Sequence, residues 1–314
     1  MLAKGLGRTL IVANPVAHSG RGEGAAIFAT RFFSSFHSAT SSCEVRLTES
    51  SGDARRMAES ALEYDTVIAL GGDGVIHEVV NGLMQIPADR RPMLGVIPMG
   101  SGNDFARTIG VTKNDPERSI AELLSGRERV IDLGRVNNRY FVQTLSFGID
   151  AAIAHDTTAR RDNNAVQTGA GLFLTSGIKI VATGLKGWPY RATIDGEVEE
   201  GIDIAFAVQN GPTYGGGFRI CPDASPSDGY LDLCRTVSKP SVPHSLLLFG
   251  LIRFGRHTKS RRLCLQKVRR VVVEFPGEEQ PPCQVDGEEY AADRYDIAVA
   301  PASLRVIVPA GRTA

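Results

Sequence analysis

Short apolar runs alternate with helix-length segments along the first part of the chain. Nearly continuous apolar runs are typical of strands that are buried on both faces of a sheet. The segments between them place apolar residues at helical spacing, and strands joined by helices predict right-handed crossovers within a parallel sheet. The predicted strands are 9–13, 43–47, 65–70 and 93–97, and the predicted helices are 24–36, 53–63 and 75–84. We therefore expect an α/β domain here.

Near Val130 the pattern changes to strand-like runs that are separated by Asp-Gly and Asn-Asn turn signals. Helical spacing interrupts these runs at only two places, about 168–183 and about 242–255. The strand-like runs are 130–133, 140–144, 190–194, 202–208, 230–234, 269–275 and 295–299. A mostly antiparallel β domain is the natural interpretation of this part.

The final apolar run, 304–308, can return to the first domain. We accordingly predict one domain formed by 1–133 with 302–314, and a second, β-rich domain formed by 134–301. The expected fold class is α/β, with an N-terminal parallel-sheet nucleotide-binding domain and a mostly antiparallel second domain.

Composition narrows the classes of partner. Thirty-five basic residues balance thirty-five acidic ones, so no overall field favours nucleic acid. The five cysteines are scattered and never spaced as C-x-x-C, which argues against a disulfide framework or a structural zinc site and favours a reducing, cytoplasmic location.

The longest apolar stretch, 246–254, is interrupted by Gly250 and Arg253 and is too short to span a bilayer. A core helix with a charged end is one interpretation. The other is a peripheral contact with a membrane, because apolar residues are followed by cations that suit anionic headgroups. Those basic residues are Arg256, His257, Lys259, Arg261 and Arg262.

The candidate chemistry lies in a glycine loop between a buried strand and a helix. Gly71, Gly72 and Gly74 allow backbone N–H groups to approach a ligand, and the following helix offers its positive end to a phosphate. Asp73 is placed either to hold a magnesium ion or to cap a helix. The loop lacks the Gly-Lys-Ser/Thr ending of a P-loop.

A second loop of the same kind follows the strand at 93–97. Gly100 and Gly102 again supply flexibility, while Ser101 and Asn103 add polar groups. Ligands of open parallel sheets bind beyond the carboxyl ends of the strands. Both loops, and the Asn-Pro and Ser-Gly-Arg-Gly segments after the first strand, are expected to meet at that edge.

These motifs, in this order, resemble the diacylglycerol kinase catalytic family, which includes sphingosine kinase-like enzymes. The segment 71–82 resembles its GGDGT…E..NG signature, and 95–106 resembles its G..P.GT.NDFA motif. Later, 215–232 is similar to the GGG…P.A...DG.LD stretch, and 284–288 to the QVDGE element. The signature threonine is Val75 here, which removes a hydroxyl, whereas Ser101 replaces a threonine and keeps one.

The resemblance implies ATP bound by the first domain, with Mg²⁺, and an active site in the cleft between domains. It implies Glu288 as the proton acceptor, with Asp286 sharing that role or orienting the site. Asp73 is expected to meet the magnesium of ATP, and Asp228 with the Leu231 carbonyl to form a structural magnesium site. Asp104 and Asp150 are candidate lipid contacts. The expected ATP-binding residues are Asn14, Pro15, Arg21, Thr48, Gly71, Gly72, Asp73, Gly74, Glu78, Gly100, Ser101 and Asn103.

We therefore expect a cytoplasmic, peripherally membrane-associated kinase that transfers the γ-phosphate of ATP to a hydroxyl of diacylglycerol or a related lipid. Two alternatives stay open, an NAD kinase-like enzyme and a catalytically silent lipid- or nucleotide-binding regulator. The intact Asp286-Gly287-Glu288 element argues against the silent regulator. The sequence does not choose among diacylglycerol, sphingosine-like bases, ceramide and phosphatidylglycerol, and it leaves the oligomeric state open.

Overall fold

The structure is a computed structural model that describes residues 5–36, 39–162 and 169–310. The chain divides into two units, one formed by Met1–Ile131 with Ala302–Ala314 and the other by Asp132–Pro301. The sequence-based boundary assigns residues 132 and 133 to the first unit instead. Each unit is described by itself below.

Strands and helices alternate in the first unit, as its sequence pattern predicts. The elements are β1 (Arg8–Ala13), α1 (Ala17–Ser35), β2 (Ser42–Leu47), α2 (Asp53–Glu59), β3 (Thr66–Gly71), α3 (Asp73–Leu83), β4 (Met93–Pro98), α4 (Asp104–Ile109) and α5 (Pro116–Ser125). Strands β1 to β4 pair in the order β2-β1-β3-β4, and all three pairings are parallel. Every residue of β3 is buried, because helices cover both faces of a parallel sheet.

From residue 127 onward most elements are strands. They are β5 (Arg127–Val136), β6 (Arg139–Phe141), β7 (Thr144–Gly148), α6 (Ile149–Asp162), α7 (Gly169–Thr183), β8 (Trp188–Ile194), β9 (Glu197–Asp203), β10 (Ala205–Gln209), β11 (Leu231–Thr236), α8 (Val242–Arg253), β12 (Leu263–Val268), β13 (Arg270–Glu274), β14 (Cys283–Val285), β15 (Glu288–Glu289) and β16 (Arg294–Val308). The last part of β16 pairs in parallel with β4 at Val306 and Leu94, and residues 302–308 belong to the first unit.

The second unit contains two antiparallel sheets. Strands β12, β11, β10, β7, β14 and β15 follow one another in one sheet, and the first part of β16 pairs with β13, β8 and β9 in the other. Alternate residues of β8 are buried, which is expected where a sheet packs through one face. A core rich in aromatic side chains includes Phe147, Phe206 and Tyr295. The expected fold class is confirmed for both units.

The expectation of only two helices in the second half is wrong. Helix α6 is a third, and α4 and α5 in the first unit were also not predicted. The segment that forms α6 carries several alanines, threonines and aspartates and lacks a strong apolar stripe. Its helical state depends on packing against β7, β10 and α7 rather than on its own pattern.

Candidate functional site

The carboxyl ends of the first unit's parallel strands carry the predicted nucleotide loops. Asn14 follows β1, Thr48 follows β2, and the two glycine loops follow β3 and β4. Backbone hydrogen bonds join the first residues of these loops to the neighbouring strands. Asn14 N–H donates to the Leu70 carbonyl at 3.0 Å, and Thr48 N–H donates to the Ala13 carbonyl at 2.9 Å. The structure therefore brings the loops that hold the predicted ATP-binding residues to one edge of the sheet, where open α/β sheets bind ligands.

The two glycine loops touch through their backbones. A Cβ atom built on Gly100 would lie 2.6 Å from the Cα of Gly72, which is closer than real side chains approach. The second loop is fixed by Asn114, whose Oδ1 accepts hydrogen bonds from Gly100 N–H at 3.2 Å and from Asn103 Nδ2 at 3.3 Å. Asn103 itself is buried in a left-handed conformation, and its Oδ1 finds no partner among the described residues.

Asp73 begins helix α3 and caps helix α4. Its Oδ1 accepts the backbone N–H of Asp104 at 2.9 Å and that of Phe105 at 3.4 Å. Burial, and then the negative charge of Asp104, raise the pKa of Asp73. The sequence left a choice between a metal ligand and a helix cap. Oδ1 of Asp73 caps a helix, although α4 rather than its own, and the role of Asp73 as a metal ligand stays a prediction.

Asp104 lies in this same group. It is buried, and its Oδ1 pairs with Arg107 Nη1 at 2.5 Å. Its carboxylate belongs to the glycine-loop edge of the first unit, so the described contacts give no support to its predicted role as a lipid contact. That role stays a prediction.

Glu78 caps helix α2 from the middle of α3. Its Oε1 accepts the N–H of Gly52 at 2.8 Å, and its Oε2 accepts the N–H of Ala54 at 3.1 Å. The segment that it holds leads directly from Thr48 into α2. Glu78 thus fixes the loop that carries Thr48, whereas a direct contact between Glu78 and ATP stays a prediction.

The segment after β1 is strained. His18, Ser19 and Gly20 all have positive φ, at 50°, 58° and 87°, inside a kink near the start of α1. A left-handed conformation costs about 1–2 kcal/mol for a residue with a side chain, and such strain concentrates at functional sites. Arg21 follows the kink with an exposed guanidinium, and its Nη1 lies 3.4 Å from His18 Nε2.

The donor set at the glycine loops fits a magnesium ion that is carried by a nucleotide. The described ranges contain no group of three or more His, Cys, Asp or Glu residues that could hold a metal by themselves. Magnesium in kinase sites needs only one or two carboxylates, because phosphates and water complete its octahedron. Asp73 and Asp104 provide two adjacent carboxylates, and their mutual repulsion would be relieved by a cation.

The expected structural magnesium site fits less well. Asp228 Oδ2 pairs with the Lys267 ammonium, and Asp228 Oδ1 accepts the N–H of Tyr230 at 3.1 Å. Leu231 is paired with Val268 in the β11–β12 ladder. Lys267 therefore supplies positive charge at this carboxylate, and the site stays a prediction that these contacts do not support.

The turn between β14 and β15 separates the two candidate catalytic carboxylates. Asp286 Oδ2 accepts the N–H of Val142 at 2.8 Å, and its Oδ1 accepts those of Gln143 and Thr144 at 2.9 and 3.0 Å. Glu288, two residues on, is exposed in β15. Of the two roles that the sequence left open for Asp286, this geometry favours orienting the turn over accepting a proton.

An apolar cavity lies within the second unit. It is partly open to solvent, and its empty space, including the open part, is about 680 Å³. Its lining is mostly aliphatic and aromatic and comes from α6, α7, α8 and the adjoining strands. Such a lining suits hydrocarbon chains.

Asp150 is the carboxylate in the wall of this cavity. Its Oδ1 accepts a hydrogen bond from the Tyr214 hydroxyl, and its Oδ2 finds no partner in the described part of the chain. Burial raises the pKa of Asp150. Tyr214 and Asn114 were not anticipated as site residues, because each acts through a contact with a residue distant in sequence.

Comparisons with known proteins agree with the two units. The family model of the diacylglycerol kinase catalytic domain matches residues 8–136, and that of the YegS C-terminal NAD kinase beta sandwich-like domain matches residues 143–308. A diacylglycerol kinase of Bacillus subtilis (strain 168) is 32% identical over 243 residues, which cover 77% of this chain and 77% of that protein. A diacylglycerol kinase of Staphylococcus aureus (strain bovine RF122 / ET3-1) is 32% identical over 243 residues, which cover 77% of this chain and 74% of that protein.

Solved structures show the same fold. A crystal structure of a diacylglycerol kinase from Bacillus anthracis str. Sterne has a TM-score of 0.77 at 23% identity, and covers 98% of this chain and 99% of that one. Another crystal structure from that organism has a TM-score of 0.80 at 23% identity, and covers 100% of this chain and 98% of that one.

The matches to both units and the identity to curated relatives define a lipid kinase. The chain belongs to the diacylglycerol kinase family. The resemblance indicated by its motifs and the expected class of enzyme are both confirmed. None of the described helices is long and apolar enough to cross a membrane.

Proposed function

We propose that this lipid kinase transfers the γ-phosphate of ATP to a hydroxyl group of diacylglycerol or a closely related lipid. The observation that carries the proposal is the apolar cavity of the second unit, with the Asp150 carboxyl in its wall. Acyl chains would leave water for this lining, while a polar headgroup would meet Asp150. A dinucleotide is charged and polar throughout, so the cavity favours a lipid over the NAD kinase alternative.

ATP would bind at the glycine-loop edge of the first unit. Close backbone approach at Gly72 and Gly100 leaves room for phosphates beside N–H groups, and the N-terminus of α3 favours negative charge. Arg21 would contact a phosphate through its guanidinium. Asp73 and Asp104 would hold the magnesium of the nucleotide, which neutralises charge on the phosphates when bound.

Glu288 would accept the proton of the lipid hydroxyl. An exposed carboxylate on a short strand can reach a substrate, and phosphoryl transfer needs little beyond positioning and a proton acceptor. Asp286 would keep the turn in place through its three backbone hydrogen bonds. Asp150, with one unpartnered oxygen and a raised pKa, would hydrogen bond a lipid hydroxyl.

We further propose peripheral contact with a membrane through α7 and α8. These helices pack together and expose Leu174 and Ile178 on α7, Leu247 on α8, and Phe254 immediately after it. Arg256, Lys259 and Arg261 follow and are exposed. The sequence predicted that His257 belongs to this basic group. That prediction is wrong, because His257 is buried and donates a hydrogen bond from Nε2 to the Ile220 carbonyl. The five free cysteines of the described chain support a cytoplasmic location.

The deciding experiment measures transfer of labelled γ-phosphate from Mg-ATP to a lipid panel in mixed micelles, with NAD as a further acceptor. The panel contains diacylglycerol, a sphingosine-like base, ceramide and phosphatidylglycerol. We expect label in diacylglycerol or one related lipid, its loss in Glu288→Ala, and its retention in Glu289→Ala, the exposed neighbouring residue. Label on NAD, or equal transfer by both variants and wild type, would contradict the proposal.

A further inference from the structure

The β14–β15 turn determines where Glu288 lies. Strand β15 contains only Glu288 and Glu289, and among the described strands it pairs only with β14, at the end of the sheet. Asp286 and Gly287 join the two strands with positive φ values of 51° and 94°, as in the turns that close two-residue hairpins. The position of Glu288 therefore depends on the contacts that hold these two turn residues.

Different side chains hold the two residues of the turn. The Asp286 carboxylate accepts the backbone N–H groups of 142–144. Gly287 N–H instead donates to Gln284 Oε1 at 2.7 Å. Because glycine has the widest choice of φ and ψ, this hydrogen bond restrains the residue that directly precedes Glu288.

Gln284 is fixed at its other end by a neighbouring strand. Its Nε2 donates to the Ser146 hydroxyl at 2.7 Å, and Ser146 lies directly opposite it on β7. The orientation of the amide follows from its partners, because the Gly287 N–H only donates and so must meet the side-chain oxygen. Strand β7 lies between β10 and β14 in the sheet, so Ser146 is a rigid support for the amide.

The surroundings of Gln284 explain why an amide matters at this position. Gln284 is 1% exposed, and its neighbours Cys283 and Val285 belong to the apolar core on the opposite face of the sheet. A buried polar side chain costs free energy unless it is hydrogen bonded, and an apolar side chain here would remove the acceptor of the Gly287 N–H. A side chain that both donates and accepts therefore serves the turn rather than the core.

We propose that Gln284 is a positioning residue for Glu288. By linking Ser146 to Gly287, it fixes the direction in which the Glu288 carboxylate extends toward the lipid hydroxyl. This inference rests on the proposed function, in which Glu288 accepts the hydroxyl proton. Gln284 exchanges no proton in the reaction, and its effect on the rate comes from the orientation of the acceptor.

The test compares two substitutions of Gln284 in the transfer of labelled γ-phosphate from Mg-ATP to the lipid panel in mixed micelles. Gln284→Met keeps the length of the side chain but makes neither hydrogen bond, whereas Gln284→Glu keeps an acceptor for the Gly287 N–H. We expect kcat to fall about tenfold in Gln284→Met and less than about threefold in Gln284→Glu, with the KM for ATP unchanged in both.

The same substitution at an exposed glutamine is the matched control. Gln280 Nε2 donates to the Phe275 carbonyl at 2.9 Å, away from the turn, so Gln280→Met should keep the wild-type kcat. Hydrogen exchange then follows the turn directly. The Gly287 amide should exchange about tenfold faster in Gln284→Met than in wild type, and at the wild-type rate in Gln280→Met.

Ser146→Ala tests the other end of the link, and it replaces Gln284→Met if circular dichroism shows that this variant does not fold. It removes the acceptor of Gln284 Nε2, so kcat should fall here too. Because both residues act through one chain of hydrogen bonds, adding Ser146→Ala to Gln284→Met should lower kcat no further.

The outcomes separate this inference from the proposed function. Wild-type kcat in folded Gln284→Met, or equal losses in Gln284→Met and Gln284→Glu, would overturn the inference alone, provided that Glu288→Ala loses transfer. An equal loss in Gln280→Met would overturn it as well. Transfer that survives Glu288→Ala would overturn the proposed role of Glu288, and the inference with it.

Discussion

Gly72 and Gly100 lie in backbone contact, and a Cβ at Gly100 would come within 2.6 Å of the Gly72 Cα. Because backbone atoms cannot move aside as a side chain can, Gly100→Ala should separate the two glycine loops. We expect ATP to bind at least about tenfold more weakly, a loss of about 1.4 kcal/mol, measured by isothermal titration.

A matched glycine tests whether the position matters rather than the substitution. Gly24 lies in α1, and among the described residues a Cβ there would meet nothing within 4 Å. Gly24→Ala should leave ATP binding unchanged and stabilise the helix by up to about 1 kcal/mol. Equal ATP affinities in the two variants would refute the packing argument.

Glu78 should affect the nucleotide through the loop that it holds. Glu78→Ala removes the acceptor for the Gly52 and Ala54 N–H groups, so we expect a loss of about 1–2 kcal/mol in unfolding free energy. ATP affinity should fall as well, because Thr48 precedes this segment. Glu59→Ala, at the exposed end of α2, is the control in urea unfolding and ATP titration. Normal stability with lost ATP affinity would instead favour a direct contact.

Substitutions should distinguish the roles of the two carboxylates at the β14–β15 turn, Asp286 and Glu288. Asp286→Ala leaves three backbone N–H groups of 142–144 without an acceptor, so the free energy of unfolding should fall by roughly 1–3 kcal/mol. Glu288→Gln should remove phosphoryl transfer and leave the thermal midpoint unchanged, because Glu288 is exposed. The pattern to look for is stability lost in one variant and turnover lost in the other. A stable, inactive Asp286→Ala would return the proton-acceptor role to Asp286.

Asp203 should make the free energy of unfolding of the second unit depend on pH. It is 3% exposed, and burial raises its pKa to about 7, although its Oδ1 accepts N–H groups from Ile204 and Thr236. The folded pKa exceeds the unfolded value of about 4, so ionisation is harder in the folded state. This residue should therefore lower the unfolding free energy as pH rises from about 4 to about 7, by at most about 4 kcal/mol.

Asp203→Asn should remove that decline, which urea unfolding at several pH values can measure. Asp89→Asn removes an exposed carboxylate instead. It tests whether the loss of any one negative charge is enough to flatten the dependence of the unfolding free energy on pH. The expected result is a flatter profile for Asp203→Asn alone. Parallel profiles for wild type and Asp203→Asn would show that this carboxyl does not carry the pH dependence.

Membrane contact through α8 can be tested with two equally exposed apolar residues. Leu247 is 59% exposed on α8, and Val198 is 60% exposed on β9. Leu247→Ser should weaken binding to anionic vesicles several-fold in a sedimentation assay, and Val198→Ser should not, since exposed cations follow α8 and none directly follows β9. Binding should also weaken as salt rises. Equal effects of the two substitutions, or binding that salt does not change, would remove α8 from the contact.

Much of the first unit could be predicted because its signals are local. The buried runs at β3 and β4, and the glycines after them, carry their own pattern over a few residues. Parallel pairing then brings Gly71–Gly74 and Gly100–Asn103 to one edge by a general rule. The same reasoning correctly assigned a mostly antiparallel β domain to the second half, since alternation and turn signals are equally local.

The features that the sequence did not predict depend on contacts between residues that are far apart in the chain. The roles of Glu78 and Asp286 as acceptors for backbone N–H groups follow from loops 26 and 144 residues away, at Gly52 and Val142. Helix α6 forms against neighbouring elements, although its own residues give a weak helical signal.

The long strand β16 has a consequence for how the chain folds. Its last part pairs with β4 through Val306 and Leu94, so the parallel sheet of the first unit gains this strand only after more than two hundred intervening residues. Closing so long a loop is slow, because its entropic cost precedes any gain from strand pairing. During synthesis, the first unit would remain without this strand until the whole second unit has left the ribosome.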